Sequence, residues 1–364
     1  MSHFPSGQEL DYSAPISVFL NLTQQCNLHC VYCSASAVAP GNGGTTELRD
    51  EEVMALVDDL LRLGVFRFLL TGGEPLLRRA LLFSILECTK SKGDATVFTN
   101  ATMLTRDDAQ RLSKLPRVPA IILSIDGATD EVNAATRGAN VLAKTMRAVD
   151  HLLDAGIIPK VNAVVTRHNQ NAIPELVAFL SERGLRHVYL GKLQPIGCAE
   201  QNPHLFLDVT ERQDLFAVVS SLTSAGKRIQ IVSGDEWHGY EKALAGIRKR
   251  REVAPEKPML LPCSAAVDQC AITADGWVVP CNSMSSFRCG NVRTQPFAEI
   301  WRTSEGLKRV RQLRKTPITV IPECGGCSYN VFCRGGCRAL AFNATGSLLG
   351  LDPACLYSAG AKEA

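Results

Sequence analysis

The chain alternates short apolar runs with longer stretches whose apolar residues recur at helical spacing, the rhythm of a repeated strand–helix unit. Strands are expected at 16–22, 66–71, 96–99, 120–124, 159–166 and 186–190. Helices are expected at 50–63, 78–91 and 141–155, the first opened by acidic residues and each closing ahead of a glycine, Gly64, Gly93 or Gly156. Six such units predict an α/β fold, a partial (β/α)6 TIM-like barrel open on one side. A further helix at 208–224 and a strand-like stretch at 228–232 lead into a charged segment that contains Arg248-Lys249-Arg250-Arg251. That shift in composition marks the expected boundaries: a barrel over 1–235, a linker over 236–262 and a cysteine-rich domain over 263–364.

In such barrels the chemistry sits at the C-terminal ends of the strands, and polar motifs follow four of the predicted strands. A loop with Cys26, Cys30 and Cys33 follows the first, and Gly72-Gly73-Glu74-Pro75 the second. Thr99-Asn100 follows the third, and Ser124-Ile125-Asp126-Gly127 the fourth. All four converge on one mouth.

Composition narrows the classes. The 364 residues are 46% hydrophobic, enough for a sizeable core in two domains. A net charge of +3 from 39 basic and 36 acidic residues carries no footprint of a nucleic-acid binder. No apolar run is long enough to span a membrane and the first residues do not read as a signal peptide, so no membrane association and a cytoplasmic address are expected. In a reducing compartment, 14 cysteines point to metal ligation and away from disulfides.

Eleven of those cysteines fall into sets, with Cys88, Cys198 and Cys289 standing apart. Three thiolates on one short loop can hold three irons of a [4Fe–4S] cube and leave the fourth iron open. A zinc knuckle would want four protein ligands. Cys263, Cys270, Cys281, Cys324, Cys327, Cys333, Cys337 and Cys355 make two sets of four, the number that two fully ligated cubes require.

The cysteine trio, with Tyr32 as the aromatic residue before its last member, resembles the radical S-adenosylmethionine (SAM) enzymes, and the late cysteines resemble their SPASM extension. The resemblance implies three [4Fe–4S] clusters: Cys26, Cys30 and Cys33 on the SAM-binding one, Cys263, Cys270, Cys281 and Cys337 on a first auxiliary cluster, and Cys324, Cys327, Cys333 and Cys355 on a second. It implies SAM as cofactor, bound near Tyr32 by Gly72, Gly73 and Glu74, whose carboxylate or carbonyl accepts the methionyl ammonium. Asn100, Ser124 and Asp126 would bond the ribose and amino-acid portion. Arg137 would pair with the SAM carboxylate, a surface salt bridge being its plain alternative. The implied chemistry is reductive cleavage of SAM to a 5′-deoxyadenosyl radical that takes hydrogen from the substrate, with an electron donor such as flavodoxin or ferredoxin.

The order of motifs looks nearest to the peptide maturases of pyrroloquinoline quinone and mycofactocin biosynthesis, which implies a ribosomally made peptide as substrate. A small molecule or tetrapyrrole is the alternative. Asn282 stands where anaerobic sulfatase-maturating enzymes carry a catalytic aspartate, and an amide cannot serve as a base. Only fifteen residues precede the first predicted strand, so a separate leader-binding protein is expected. Asp235 and His238, in Ser233-Gly234-Asp235-Glu236-Trp237-His238, are candidates for proton removal, with a capped loop as the equal alternative.

Overall fold

The computed structural model describes residues 12–41, 46–224, 229–233, 259–327 and 330–355. Seven strands run parallel and lie side by side in chain order: β1 (Ser17–Asn21), β2 (Arg67–Thr71), β3 (Asp94–Thr99), β4 (Ala120–Ser124), β5 (Lys160–Val165), β6 (His187–Lys192) and β7 (Gln230–Ser233). The six expected strands are all present, and the strand-like stretch before the charged segment is the seventh. Between them lie α1 (Asp50–Arg62), α2 (Arg79–Thr89), α3 (Arg106–Ser113), α4 (Asp130–Arg137), α5 (Val141–Asp154), α6 (Ile173–Glu182) and α7 (Val209–Ser224).

Local chemistry sets these elements. In α1, Asp50, Glu51 and Glu52 sit in the first turn against the positive end of the helix dipole, while Val53, Leu56, Val57 and Leu60 recur on one buried stripe. Gly64, with φ of +87°, stands just past its end, in the left-handed region where a side chain is costly.

The sheet continues past β1 into the C-terminal segment. There β8 (Gln269–Ile272) pairs parallel with β1, and β9 (Trp277–Val279) and β10 (Gly290–Asn291) add antiparallel strands. The strand order is β10-β9-β8-β1-β2-β3-β4-β5-β6-β7, so the two ends do not pair and the barrel is partial. Arg293 reinforces the join, donating to Glu52 and to the carbonyls of Thr46 and Glu47. The segment expected to link the two domains lies mostly outside the described residues, as do Asp235 and His238. Among the described residues no helix is long and apolar enough to cross a membrane.

Parallel sheets are usually covered on both faces and read as continuous apolar runs. Here burial alternates. Val18 and Leu20 of β1, Phe68 and Leu70 of β2, Ile121 and Leu123 of β4 and Val188 and Leu190 of β6 are buried in the main core. Their neighbours Phe19, Asn21, Leu69, Thr71, Ile122, Ser124, Asn162 and Tyr189 are only half-buried. The second face is therefore a lumen, and its upper rim is where the sequence motifs lie.

Candidate active site

The cysteine loop is built from backbone first. The pairing of β1 with β2 runs beyond both strands: Leu22 N donates to Thr71 O at 2.8 Å, Gly73 N to Thr23 O at 2.7 Å and Glu74 N to Gln25 O at 2.8 Å. A Cβ on Gly72, whose φ is +131°, would lie 2.4 Å from Thr23 O, and one on Gly73 would lie 2.0 Å from Gln25 O. The two glycines admit the strand that carries the cysteines. On the other side Cys26 N donates to Val38 O at 2.8 Å, Val31 N to Thr136 O at 2.9 Å and Cys198 N to Cys33 O at 2.9 Å. Gly197, φ +63°, packs so closely that its Cβ would meet Cys33 O at 2.5 Å. The segment after β6 thus closes the loop, a role the sequence alone did not reveal for Gly197 and Cys198.

The trio is poised together. The Sγ of buried Cys26 accepts from Leu28 N at 3.4 Å and from Asn100 Nδ2 at 3.7 Å. Burial pushes the Cys26 thiol up, the Leu28 N–H opposes this, and the charges of Glu74 and Cys33 add to it. Burial pushes Cys30 to about 11, opposed by the Arg137 guanidinium and reinforced by Asp126, Cys33 and Cys26. His29 between them is exposed. Among the described residues no three His, Cys, Asp or Glu groups converge tightly enough for a single metal ion. A four-iron cube asks for a wider triangle, because each thiolate binds a different iron.

Glu74 and Asn100 hold this loop. The buried Glu74 carboxylate accepts from Leu76 N at 3.0 Å, Thr99 Oγ1 at 2.6 Å and Asn100 N at 2.9 Å. Three of its roughly four lone-pair positions are thereby used inside the protein. Its carbonyl accepts from Leu77 N at 3.0 Å. Asn100 spends its amide on Cys26 Sγ, on Asn27 Oδ1 at 3.0 Å and on Thr102, whose N donates to it at 2.9 Å.

Asp126 is the hub of a second buried network. Its Oδ2 accepts from the Tyr32 hydroxyl, from Arg137 Nε at 2.8 Å and from Thr136 Oγ1 at 3.3 Å, and its Oδ1 accepts from Val164 N at 3.0 Å. Asn133 and Asn169, both buried, bond its backbone N–H and carbonyl. The Arg137–Asp126 ion pair is buried, with side chains 6% and 0% exposed, and the surface alternative does not hold. Burial works against the Arg137 charge, but the Asp126 carboxylate beside it more than offsets that and keeps it protonated. Tyr32 packs with Leu193, Ala199 and Leu205, so the aromatic residue of the motif fastens the loop to the β5 and β6 ends.

Polar groups whose side chains have no hydrogen-bond partner among the described residues remain on the lumen. Ser124 pairs in register with Asn162, and Asn162 with Tyr189, giving a hydroxyl, an amide and a phenol in a row across β4, β5 and β6. Asn162 and Tyr189 were not expected; the alternation of half-buried polar residues inside apolar strands was the available signal.

The C-terminal cysteines divide unevenly. Burial raises the Cys263 thiol and the neighbouring Cys337 adds to it, while Cys281, pushed by burial to about 12, has both Cys263 and Cys337 as neighbours. Burial raises the Cys324 thiol, and the neighbouring Cys355 and Cys327 add to it. Cys333 is exposed. Cys270 is buried in β8 with the Cys289 thiol and the Arg311 guanidinium as neighbours. Asn282, just after Cys281, accepts at 3.0 Å from Asn21 Nδ2 at the end of β1, and Ser283 donates to Gln194 Oε1 at 3.1 Å beyond β6. The cysteine-rich segment therefore reaches across the barrel mouth.

Known proteins share these features. Residues 20–180 match the model of the radical SAM superfamily, and residues 263–328 match that of the SPASM iron–sulfur cluster-binding domain. The mycofactocin maturase MftC of Mycobacterium ulcerans is 30% identical over 357 residues, covering 96% of this chain and 89% of that protein. The AdoMet-dependent heme synthase of Nitratidesulfovibrio vulgaris is 29% identical over 344 residues, covering 92% of this chain and 90% of that one. In fold, SuiB of Streptococcus suis bound to S-adenosylmethionine superposes with a TM-score of 0.72 at 17% identity, over 94% of this chain and 77% of that one. AnSMEcpe with bound AdoMet gives 0.71 at 21% identity, over 95% of each chain. With the cysteine loop, the Gly-Gly-Glu-Pro turn and the cysteine-rich extension joined in one sheet, this chain belongs to the radical SAM enzymes that carry a SPASM domain.

Proposed function

We propose that this enzyme takes a hydrogen atom from a side chain of a ribosomally made peptide and leaves an oxidative modification or crosslink. The observation that carries the reading is the chemistry of the mouth. Among the described residues Asn21, Asn282, Gln194, Ser283 and Ser124 stand there with amides and hydroxyls, while the charged groups Glu74, Asp126 and Arg137 are bonded within the protein. Amides and hydroxyls match the alternating donors and acceptors of a peptide backbone, whereas a polycarboxylate macrocycle calls for cations. The guanidinium of Arg137 is already paired with Asp126. The near full-length likeness to a mycofactocin maturase supports the same reading.

The residues present fit the cofactors. Cys26, Cys30 and Cys33 would hold the SAM-binding cluster, their backbone fixed on both sides and Cys26 Sγ already met by two N–H donors. When bound, that cluster and SAM supply a 5′-deoxyadenosyl radical. The protein's share is orientation. Ser124, Asn162 and Tyr189 offer hydrogen bonds on the lumen wall, and Tyr32 and Arg137 fix the loop through Asp126. Auxiliary clusters on the C-terminal cysteines would accept the electron left on the substrate, and a flavodoxin or ferredoxin would deliver the electron that starts the cycle.

The heme synthase relatives favour a second reading, a small tetrapyrrole substrate. The test is to incubate enzyme, SAM and reductant with the precursor peptide encoded beside it, with and without an adjacent leader-binding protein, and in parallel with a carboxylated porphyrin precursor. A peptide mass change matched to 5′-deoxyadenosine supports the proposal. Conversion of the tetrapyrrole with an unchanged peptide overturns it.

A further inference from the structure

The geometry points to a first auxiliary cluster held by only three thiolates, Cys263, Cys281 and Cys337, with Cys270 outside it and the fourth iron left for a soft donor, a thiolate before all, that arrives with the substrate. This rests on the reading of the C-terminal cysteines as cluster ligands.

The pleat separates Cys270 from the others. In β8, Cys270 lies beside Val18 of β1, and both are fully buried, on the face that packs into the core away from the lumen. Across the antiparallel join Ala271 pairs with Val279 and Ile272 with Val278. Carried one step past Val279, that ladder sets Pro280 opposite Cys270 and leaves Cys281 one position further along, in the turn that follows the strand. Neighbouring residues of a strand point to opposite faces, so the pleat carried past Val279 sets Cys281 on the side of the sheet away from Cys270. The surroundings agree. Cys270 belongs to the apolar core, with Cys289 as its neighbouring thiol and Arg311, which lies over the Trp301 ring at 4.4 Å and donates to Ala266 O at 2.7 Å. Cys281 instead begins the turn whose next residue bonds Asn21 at the barrel mouth, and its neighbouring thiols are Cys263 and Cys337. Turning Cys270 to the other face would shift β8 by one residue and bury Gln269 in the core.

Three thiolates and one uncommitted iron repeat the logic of the N-terminal trio, here next to the mouth where the substrate enters. Iron in such a cube prefers soft sulfur donors, so a cysteine side chain of a peptide is the substrate group that suits it best.

The experiment uses the full chain with Cys26, Cys30 and Cys33 replaced by Ala, which leaves only the auxiliary clusters. Reconstituted, this background should hold about eight irons and eight sulfides, four per cube. Adding Cys270→Ser should leave that count unchanged, whereas adding Cys281→Ser should lower it by about half. Carbon-13 cyanide, a soft anionic probe, should show hyperfine coupling to the reduced cluster by pulsed EPR in the background and in Cys270→Ser, and none in Cys281→Ser. The cyanide arm needs no change at Cys270, so poor folding of that variant cannot shelter the idea. Loss of iron in Cys270→Ser equal to that in Cys281→Ser, or no carbon-13 coupling in the background, would overturn the proposal. A background with zinc and no sulfide would instead overturn the cluster reading beneath it.

Discussion

Gly73→Ala tests whether the Gly-Gly-Glu-Pro turn acts by holding the cysteine loop. The added Cβ would stand 2.0 Å from Gln25 O and 2.5 Å from its carbonyl carbon, both backbone atoms that cannot rotate aside. To reach a tolerable contact the two loops must part by about 1 Å, and overpacking of that kind costs about 1–3 kcal/mol. Parting them also weakens the bonds from Gly73 N to Thr23 O at 2.7 Å and from Glu74 N to Gln25 O at 2.8 Å. Each is worth about 1 kcal/mol net, so the loss should total about 2–4 kcal/mol. Cys26 follows Gln25 directly, so the ligand moves with the clash. A misplacement of about 1 Å at a reacting centre can cost about 100-fold in rate. The assays are thermal unfolding, iron content and 5′-deoxyadenosine formation with dithionite. Gly191→Ala is the control, since its Cβ meets nothing closer than 3.7 Å within the same barrel. If Gly73→Ala melts, binds iron and cleaves SAM as the parent does while Gly191→Ala is also silent, the close approach has no consequence and the reasoning fails.

Removing one partner of the buried Asp126–Arg137 pair, as in Arg137→Met, should destabilise the fold by about 3–5 kcal/mol because Asp126 is left charged and buried; a chemical denaturation midpoint equal to the parent's would refute this. Glu52 is held down at about 2, first by its bond to Arg293 and then by the Arg49 backbone N–H. A carboxyl whose folded value is depressed stabilises above its unfolded value of about 4.3 and loses that contribution as pH falls. The melting difference between the parent and Glu52→Gln should therefore be full at pH 6 and shrink as pH drops below about 4.3, and a difference independent of pH would count against the bridge. Arg338, buried and with no partner for its Nε among the described residues, favours the charged forms of both Cys263 and Cys324. Arg338→Met should move the midpoint potentials of the auxiliary clusters lower in an EPR-monitored titration, with Arg338→Lys intermediate; unmoved potentials would show the charge to be irrelevant to them.

The contrast between what the sequence disclosed and what it hid follows from how each kind of information is stored. The strand order was legible because period-two burial and helix-closing glycines are local, so β1 to β6 could be located without knowing what they pack against. The C-terminal segment's use of β1 as a template was not, since the pairing of Ser17 with Gln269 joins residues some 250 positions apart and neither strand is distinctive in composition. The same division runs through the site. Spacing pointed to Cys26, Cys30 and Cys33, but the protein partners of Glu74, Asn100 and Asp126 come largely from other elements, which no local pattern discloses. Those three residues lock the loop that carries the thiols, which explains why polar side chains at 0–8% exposure persist at the mouth of an otherwise apolar barrel. An unmet polar group there would cost about 1–3 kcal/mol, and here nearly every one is met by the protein itself. Ser124, Asn162 and Tyr189, whose side chains have no partner among the described residues, sit one strand position away from the core residues beside them. Face decides function at that distance, and face is the property that a register shift of one residue would invert.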